Sequence, residues 1–120
     1  MTEQLNFETI NELYGYIQKL IPALIKLSNK LRNIKDEDTL ELMRVVVEGI
    51  EWSFNIILLN KEHFSEIGIV LDYEKIREVT EELSEALTNK DLLLTADILE
   101  YEMVDIFTIV NDKLENYLKK

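Results

Sequence analysis

Acidic side chains crowd one short stretch near the end of the chain and are the best candidates for chemistry. Asp97, Glu100, Glu102 and Asp105 lie within nine residues. At helical spacing Asp97 and Glu100 share a face that borders the apolar positions. Carboxylates grouped near a bundle interior are ligands for Mg²⁺ or Mn²⁺. One hypothesis is therefore an all-α nucleotide hydrolase in which carboxylates hold such a metal.

The spacing of the acids argues against that hydrolase. The all-helical magnesium-dependent pyrophosphohydrolases need Glu-x-x-Glu followed closely by Glu-x-x-Asp. Here Glu48 and Glu51 are separated from Glu102 and Asp105 by about fifty residues and fall on a solvated arc. We predict that the acids are a hydrated surface and that the chain has no metal ligands and no cofactor.

Other kinds of catalysis lack their residues. The chain has no Cys and one His, His63, which excludes a thiolate nucleophile, a disulfide framework and the two-histidine di-iron site of helical bundles. No glycine-rich phosphate loop and no Gly-x-Ser-x-Gly sequence occur. We predict no catalytic residue and a protein that is not an enzyme.

Length and charge limit the partners. The 120 residues predict a single helical-bundle domain over 1–120, and 47% hydrophobic residues can form a core. Thirteen basic against twenty-four acidic residues give a net charge of −11, which argues against nucleic acid or an anionic membrane as partner. With no basic, apolar leader and no apolar stretch of about 20 residues, the predicted location is the cytoplasm.

Apolar residues recur at helical spacing in the first segment, and few residues would break a helix. Successive apolar residues three or four positions apart form a seam, which consists of Ile10, Leu13, Ile17, Leu20, Leu24, Leu27, Leu31 and Ile34. Pro22 lies inside this run and lacks an N–H group, which predicts a kinked helix. Two separate helices that meet at Pro22 are the alternative.

Three further helices complete the pattern. Asp38, with Glu41 three residues later, predicts the cap of a second helix over 39–60. An irregular link at 61–72 follows, in which Gly68 predicts a turn and Ile67, Ile69, Val70 and Leu71 predict an apolar plug. Capping aspartates Asp72 and Asp91 begin helices over 73–88 and 92–118. The fold class predicted is an all-α, mostly antiparallel four-helix bundle.

Two helices have more apolar perimeter than one core contact requires. The second has an additional side made of Val45, Trp52, Ile56 and Leu59, and the last has Leu94, Ile98 and Tyr101 opposite its core stripe. One interpretation is that this additional side meets the link at 67–71 or reflects a non-ideal bundle geometry. The functional interpretation is a non-catalytic interaction module, adaptor-like or chaperone-like. It would bind a partner helix, favourably a basic one, or a second copy as a homodimer.

One short motif is similar to a known group. The residues Asp97-Ile98-Leu99-Glu100-Tyr101-Glu102 resemble a D-[IL]-L-E-Y-E helix near the C-terminus of small uncharacterised helical proteins of firmicute bacteria. The resemblance implies a small bundle and no catalytic residue. Size, acidity and helical content are also similar to those of flagellar export chaperones, without any of their motifs.

Overall fold

The computed structural model describes residues 7–33 and 37–119 and is helical in both ranges, without a strand. The predicted all-α bundle is therefore confirmed. The helices are α1 (Phe7–Asn33), α2 (Glu37–Leu59), α3 (Lys61–Glu66), α4 (Tyr73–Thr88), α5 (Leu92–Asp97) and α6 (Val104–Leu118), with a π-helical segment (Ile98–Met103) between the last two.

Helix α1 carries the predicted seam into the core. Every predicted seam position from Ile10 to Leu31 is buried, whereas Ile34 lies outside the described residues. The helix runs through Pro22 without ending. The alternative of two separate helices that meet at Pro22 is therefore wrong. The kink at Pro22 stays a prediction.

Helix α2 begins earlier than its predicted cap. Because Glu37 is already helical, Asp38 lies in the first turn and the prediction of Asp38 as the cap is wrong. The first three or four N–H groups of a helix are unpaired, so an acid anywhere in this turn interacts favourably with them. The pattern Asp38 to Glu41 therefore marks the helix start only to within a residue or two.

The link at 61–72 contains one helix that the sequence pattern did not predict. Helix α3 buries Phe64 completely and ends in a Schellman turn at Gly68, whose φ is +89°. In this turn the Ile69 N–H donates to the Phe64 carbonyl at 2.8 Å. Ile69 and Leu71 are buried as the plug predicts, whereas Val70 is 68% exposed and does not belong to it.

The two predicted capping aspartates are confirmed. The Asp72 carboxylate accepts the Lys75 N–H at 3.0 Å and the Asp91 carboxylate accepts the Leu94 N–H at 3.1 Å. A second Schellman turn joins these helices, with the Asp91 N–H donating to the Ala86 carbonyl at 3.0 Å. Here the left-handed position is occupied by Lys90, with φ +55°, and not by glycine.

Helix α5, the π-helical segment and α6 form one rod, called here the C-terminal helix (92–118). Its core stripe includes Ala96, Leu99, Met103 and Phe107, all of them buried. The C-terminal helix packs along α1, and α5 and the π segment also contact α4. Helix α2 packs on α1 and α3, and the rings of Phe54 and Phe107 stack across the core with their centroids 4.9 Å apart.

Lys90 is the position where one substitution should stabilise the fold. A side chain at positive φ costs about 1–2 kcal/mol that glycine avoids, although glycine loses about 0.5–1 kcal/mol of additional chain entropy. We expect Lys90→Gly to raise the free energy of unfolding by up to about 1 kcal/mol in urea titrations. Asn89→Gly is the matched control, because Asn89 has φ −83°. An equal gain in both variants would contradict this explanation.

Candidate functional site

An exposed apolar line runs along one side of α2. Val45, Trp52 and Leu59 are spaced seven residues apart and remain 46%, 43% and 84% exposed. Ile56 lies beside them and is half-buried. We call Val45, Trp52, Ile56 and Leu59 the α2 strip. The sequence placed these four residues on one side of the helix, and three of them are open to solvent.

Trp52 is held against α1 by an aromatic contact. Its ring meets the ring of Tyr16 edge to face, with centroids 5.0 Å apart. The Tyr16 ring fits there because Gly49 has no side chain: a Cβ atom on Gly49 would fall within 3.5 Å of three atoms of the Tyr16 side chain. Gly49 thus allows the Tyr16 ring to lie against α2 beside Trp52.

The predicted face on the C-terminal helix is only partly correct. Leu94 and Tyr101 are exposed, but Ile98 is 2% exposed and belongs to the core, so its assignment as a partner-binding residue is wrong. Ile98 begins the π-helical segment, in which each residue turns by less than the 100° of an α-helix. The segment also contacts both α1 and α4, so its buried arc is wider than one stripe.

Asp97 and Glu100 neutralise an arginine from α1. Arg32 donates to the Asp97 carboxylate at 2.7 Å and to that of Glu100, and its guanidinium lies 5.6 Å from the Tyr101 ring centroid. The hydrogen bonds to Asp97 and then to Glu100 raise the pKa of Arg32. These contacts use residues of the motif at 97–102 and connect the end of α1 to the π segment.

The remaining candidate ligands are dispersed. Glu48 pairs with Arg44 at 3.1 Å, and the Nδ1 atom of His63 lies 3.4 Å from the Glu66 carboxylate. Among residues 7–33 and 37–119, no three acidic or histidine side chains come close enough to share one metal ion. Over the same ranges, no helix has the length and apolar character required to cross a membrane.

Glu102 is the acid whose ionisation the fold disfavours. Burial, followed by the negative charge of Glu82 on α4, raises the pKa of Glu102, while Lys75, with its Nζ atom 3.9 Å away, lowers it. Its side chain is about one-third exposed. The net effect is that folding disfavours the charged form of Glu102.

A groove between α2 and α4 was missed by the sequence analysis. It has a volume of about 550 Å³ and is open to solvent. Its walls come from residues 50–58 of α2 and 73–81 of α4. The available signal was the narrow stripe of α4, which buries Ile76, Val79, Leu83 and Ala86. A stripe of this width is enough to pack against the C-terminal helix, but it leaves few apolar side chains on α4 to cover α2.

Comparison with known proteins gives a family. A family model described as a domain of unknown function, DUF8042, matches residues 8–113. The chain belongs to the DUF8042 family. Neither the curated proteins nor the solved structures gave a match to the chain. A family without an assigned function is what the motif at 97–102 implied, and its link to firmicute bacteria stays a prediction.

Two glycines test how Trp52 is presented. Gly15→Ala in α1 should raise the free energy of unfolding by about 1 kcal/mol, since nothing lies within 4 Å of the added Cβ atom. Gly49→Ala should not raise the free energy of unfolding, because the Tyr16 ring must move to admit the added Cβ atom. The same movement should shift the fluorescence of Trp52, the single tryptophan. Equal stabilisation of both variants with unchanged emission would contradict the proposed packing.

Glu102 predicts a pH-dependent stability. The pKa of Glu102 is higher in the folded than in the unfolded protein, so its ionisation destabilises the fold. This loss of stability is complete at pH values above the folded pKa and disappears below the unfolded pKa of about 4.3. Glu102→Gln should therefore stabilise the protein at about pH 7, and the gain should shrink towards about pH 4 in urea titrations. Glu78→Gln, on an exposed position of α4, controls for the loss of one negative charge. If Glu102→Gln raised the free energy of unfolding no more than Glu78→Gln does, the proposed effect of Glu102 would be contradicted.

Proposed function

We propose that this DUF8042 chain is a non-catalytic interaction module, adaptor-like or chaperone-like, that binds helical protein surfaces through the α2 strip. The observation that carries the proposal is the exposure of Val45, Trp52 and Leu59 in one line on one helix. Large apolar side chains aligned on a rigid helix are the usual anchors of a helix-to-helix contact, and tryptophan is enriched among the residues that dominate such contacts.

The strip has the dimensions of a helix-packing surface. Leu59 is fourteen positions after Val45, so the line is about 21 Å long at 1.5 Å per residue. Burying the exposed part of three large apolar side chains stabilises a complex by a few kcal/mol, at about 25 cal/mol per Å². The contact of Trp52 with Tyr16 reduces the entropy that an anchor loses on binding.

The spacing of the strip suits a second copy of the chain as occupant. Val45 and Leu59 are each seven residues from Trp52, so two α2 helices packed antiparallel about a two-fold axis at Trp52 place Val45 against Leu59 of the other copy. The antiparallel arrangement also separates the acids at the start of the two α2 helices. The net charge of −11 opposes association at low salt, so the dimer should strengthen as salt increases.

Self-association can be measured by light scattering with size-exclusion chromatography and by the emission of Trp52. We expect the wild-type mass to approach that of a dimer as concentration and salt rise, with a blue shift as Trp52 loses contact with water. Leu59→Glu and Val45→Glu should each weaken the dimer at least about tenfold, which corresponds to about 1.4 kcal/mol.

Leu40→Glu is the matched control for these variants. Leu40 is an exposed leucine of the same helix, about 120° around α2 from Trp52. It should leave the dimer unchanged. A monomer mass with unshifted emission at every concentration and salt would contradict self-association, and equal weakening by Leu40→Glu would contradict the assignment to the strip.

A further inference from the structure

The groove between α2 and α4 is an apolar surface separate from the α2 strip. Its floor is formed by Ile50 and Phe54 of α2 and Ile76 of α4, all buried members of the core. Leu58 stands at its edge and remains 47% exposed. It lies about 100° from its neighbour Leu59, which belongs to the strip. The two surfaces can therefore be changed independently by substitutions at adjacent residues.

Both edges of the groove carry negative charge. Glu51 lines the α2 side and Glu81 lines the α4 side. Arg77 also lines the groove and pairs with Glu81 at 3.0 Å and with Glu74 on its own helix, so these three side chains together carry one net negative charge. The helices behind these edges are acidic, with five acids against one base in α2 and five against two in α4. The groove therefore lies in a field that favours cations.

The length of the groove suits two turns of a helix. On each side its walls span about nine residues, which correspond to about 12 Å from the first Cα atom to the last. Apolar anchors at positions i, i+3 or i+4, and i+7 of a guest helix cover this distance and would meet the apolar floor. Basic residues that flank those anchors on both sides would then face Glu51 and Glu81.

We infer that the α2–α4 groove binds a cationic amphipathic helix of a partner protein. A second copy of this acidic chain would bring further negative charge to both edges, and a small apolar molecule would leave the acids at the edges without a role. The inference rests on the proposed function only in that the chain acts by protein contact. The surface, its occupant and the variants that test it are different.

The probe is a labelled synthetic helix of about 15 residues, with leucines at i, i+3, i+4 and i+7 and lysines on both flanks. Its binding to the full chain is followed by fluorescence anisotropy. We expect a micromolar Kd at about 50 mM salt and weakening at about 500 mM, because the Debye length shortens. A peptide with glutamate in place of lysine, and a scrambled peptide of the same composition, should each bind at least about tenfold more weakly. The scrambled peptide measures the general attraction of a cation to a chain of charge −11.

Adjacent leucines distinguish the groove from the strip. Leu58→Glu should weaken binding of the lysine peptide at least about tenfold, whereas Leu59→Glu should leave it within about twofold. Circular dichroism checks that both variants are folded. The double variant Glu51→Gln and Glu81→Gln should reduce the salt dependence of binding. Because Leu59→Glu is expected to weaken self-association and not peptide binding, failure of one proposal is separable from failure of the other.

Three results would overturn the inference. Equal binding of the lysine and scrambled peptides would mean that charge alone attracts them. Equal effects of Leu58→Glu and Leu59→Glu would place the peptide elsewhere. Binding of the neutral dye N-phenyl-1-naphthylamine in a Leu58-dependent manner, with no binding of the peptides, would identify the groove as a site for a small apolar molecule.

Discussion

The apolar face of α1 is the surface on which α2 and the C-terminal helix assemble. From Ile10 to Leu31 its seam is buried, and α2 and the C-terminal helix both pack against α1. Helix α4 contacts the C-terminal helix through α5 and the π segment. Helix α1 is therefore the helix that α2 and the C-terminal helix share, and α4 joins the bundle through the C-terminal helix.

The unequal widths of the apolar stripes explain both candidate surfaces. Helix α2 is apolar over much of its circumference, so one side packs in the core and the side with Trp52 remains open. Helix α4 has a narrow stripe that serves its contact with the C-terminal helix, so a groove remains between α4 and α2. Four helices with apolar stripes of equal width would have closed this groove. If the apolar surface of α2 were narrower, the α2 strip would not exist.

The π-helical segment changes how the C-terminal helix is covered. It places Ile98 in the core while Asp97 and Glu100 reach Arg32 at the end of α1. An acidic cluster that suggested metal binding is thus partly an ion-pair contact between two helices. A half-buried pair of this kind contributes to the geometry of the bundle more reliably than to its stability.

Local signals determined most of the elements. Periodicity gave the α1 seam, α4 and the stripe of the C-terminal helix, and the side chains of Asp72 and Asp91 mark helix starts because they accept the nearby N–H groups of their own helices. The cap at Asp38 was wrong by a short shift, since any acid in a first turn satisfies the same requirement. Helix α3 has only six residues, too few for a periodic pattern.

The sequence by itself determined that the chain is an acidic helical bundle with apolar side chains to spare, because composition and periodicity are properties of single segments. Tertiary structure alone decided which of those side chains stay exposed. By periodicity, neither Ile98 nor Trp52 is needed for a single core stripe. Ile98 is nevertheless buried, in a π segment that contacts α1 and α4, whereas Trp52 contacts Tyr16 and stays 43% exposed. The α2–α4 groove likewise exists only through the relative positions of two helices, which no pattern within either helix encodes.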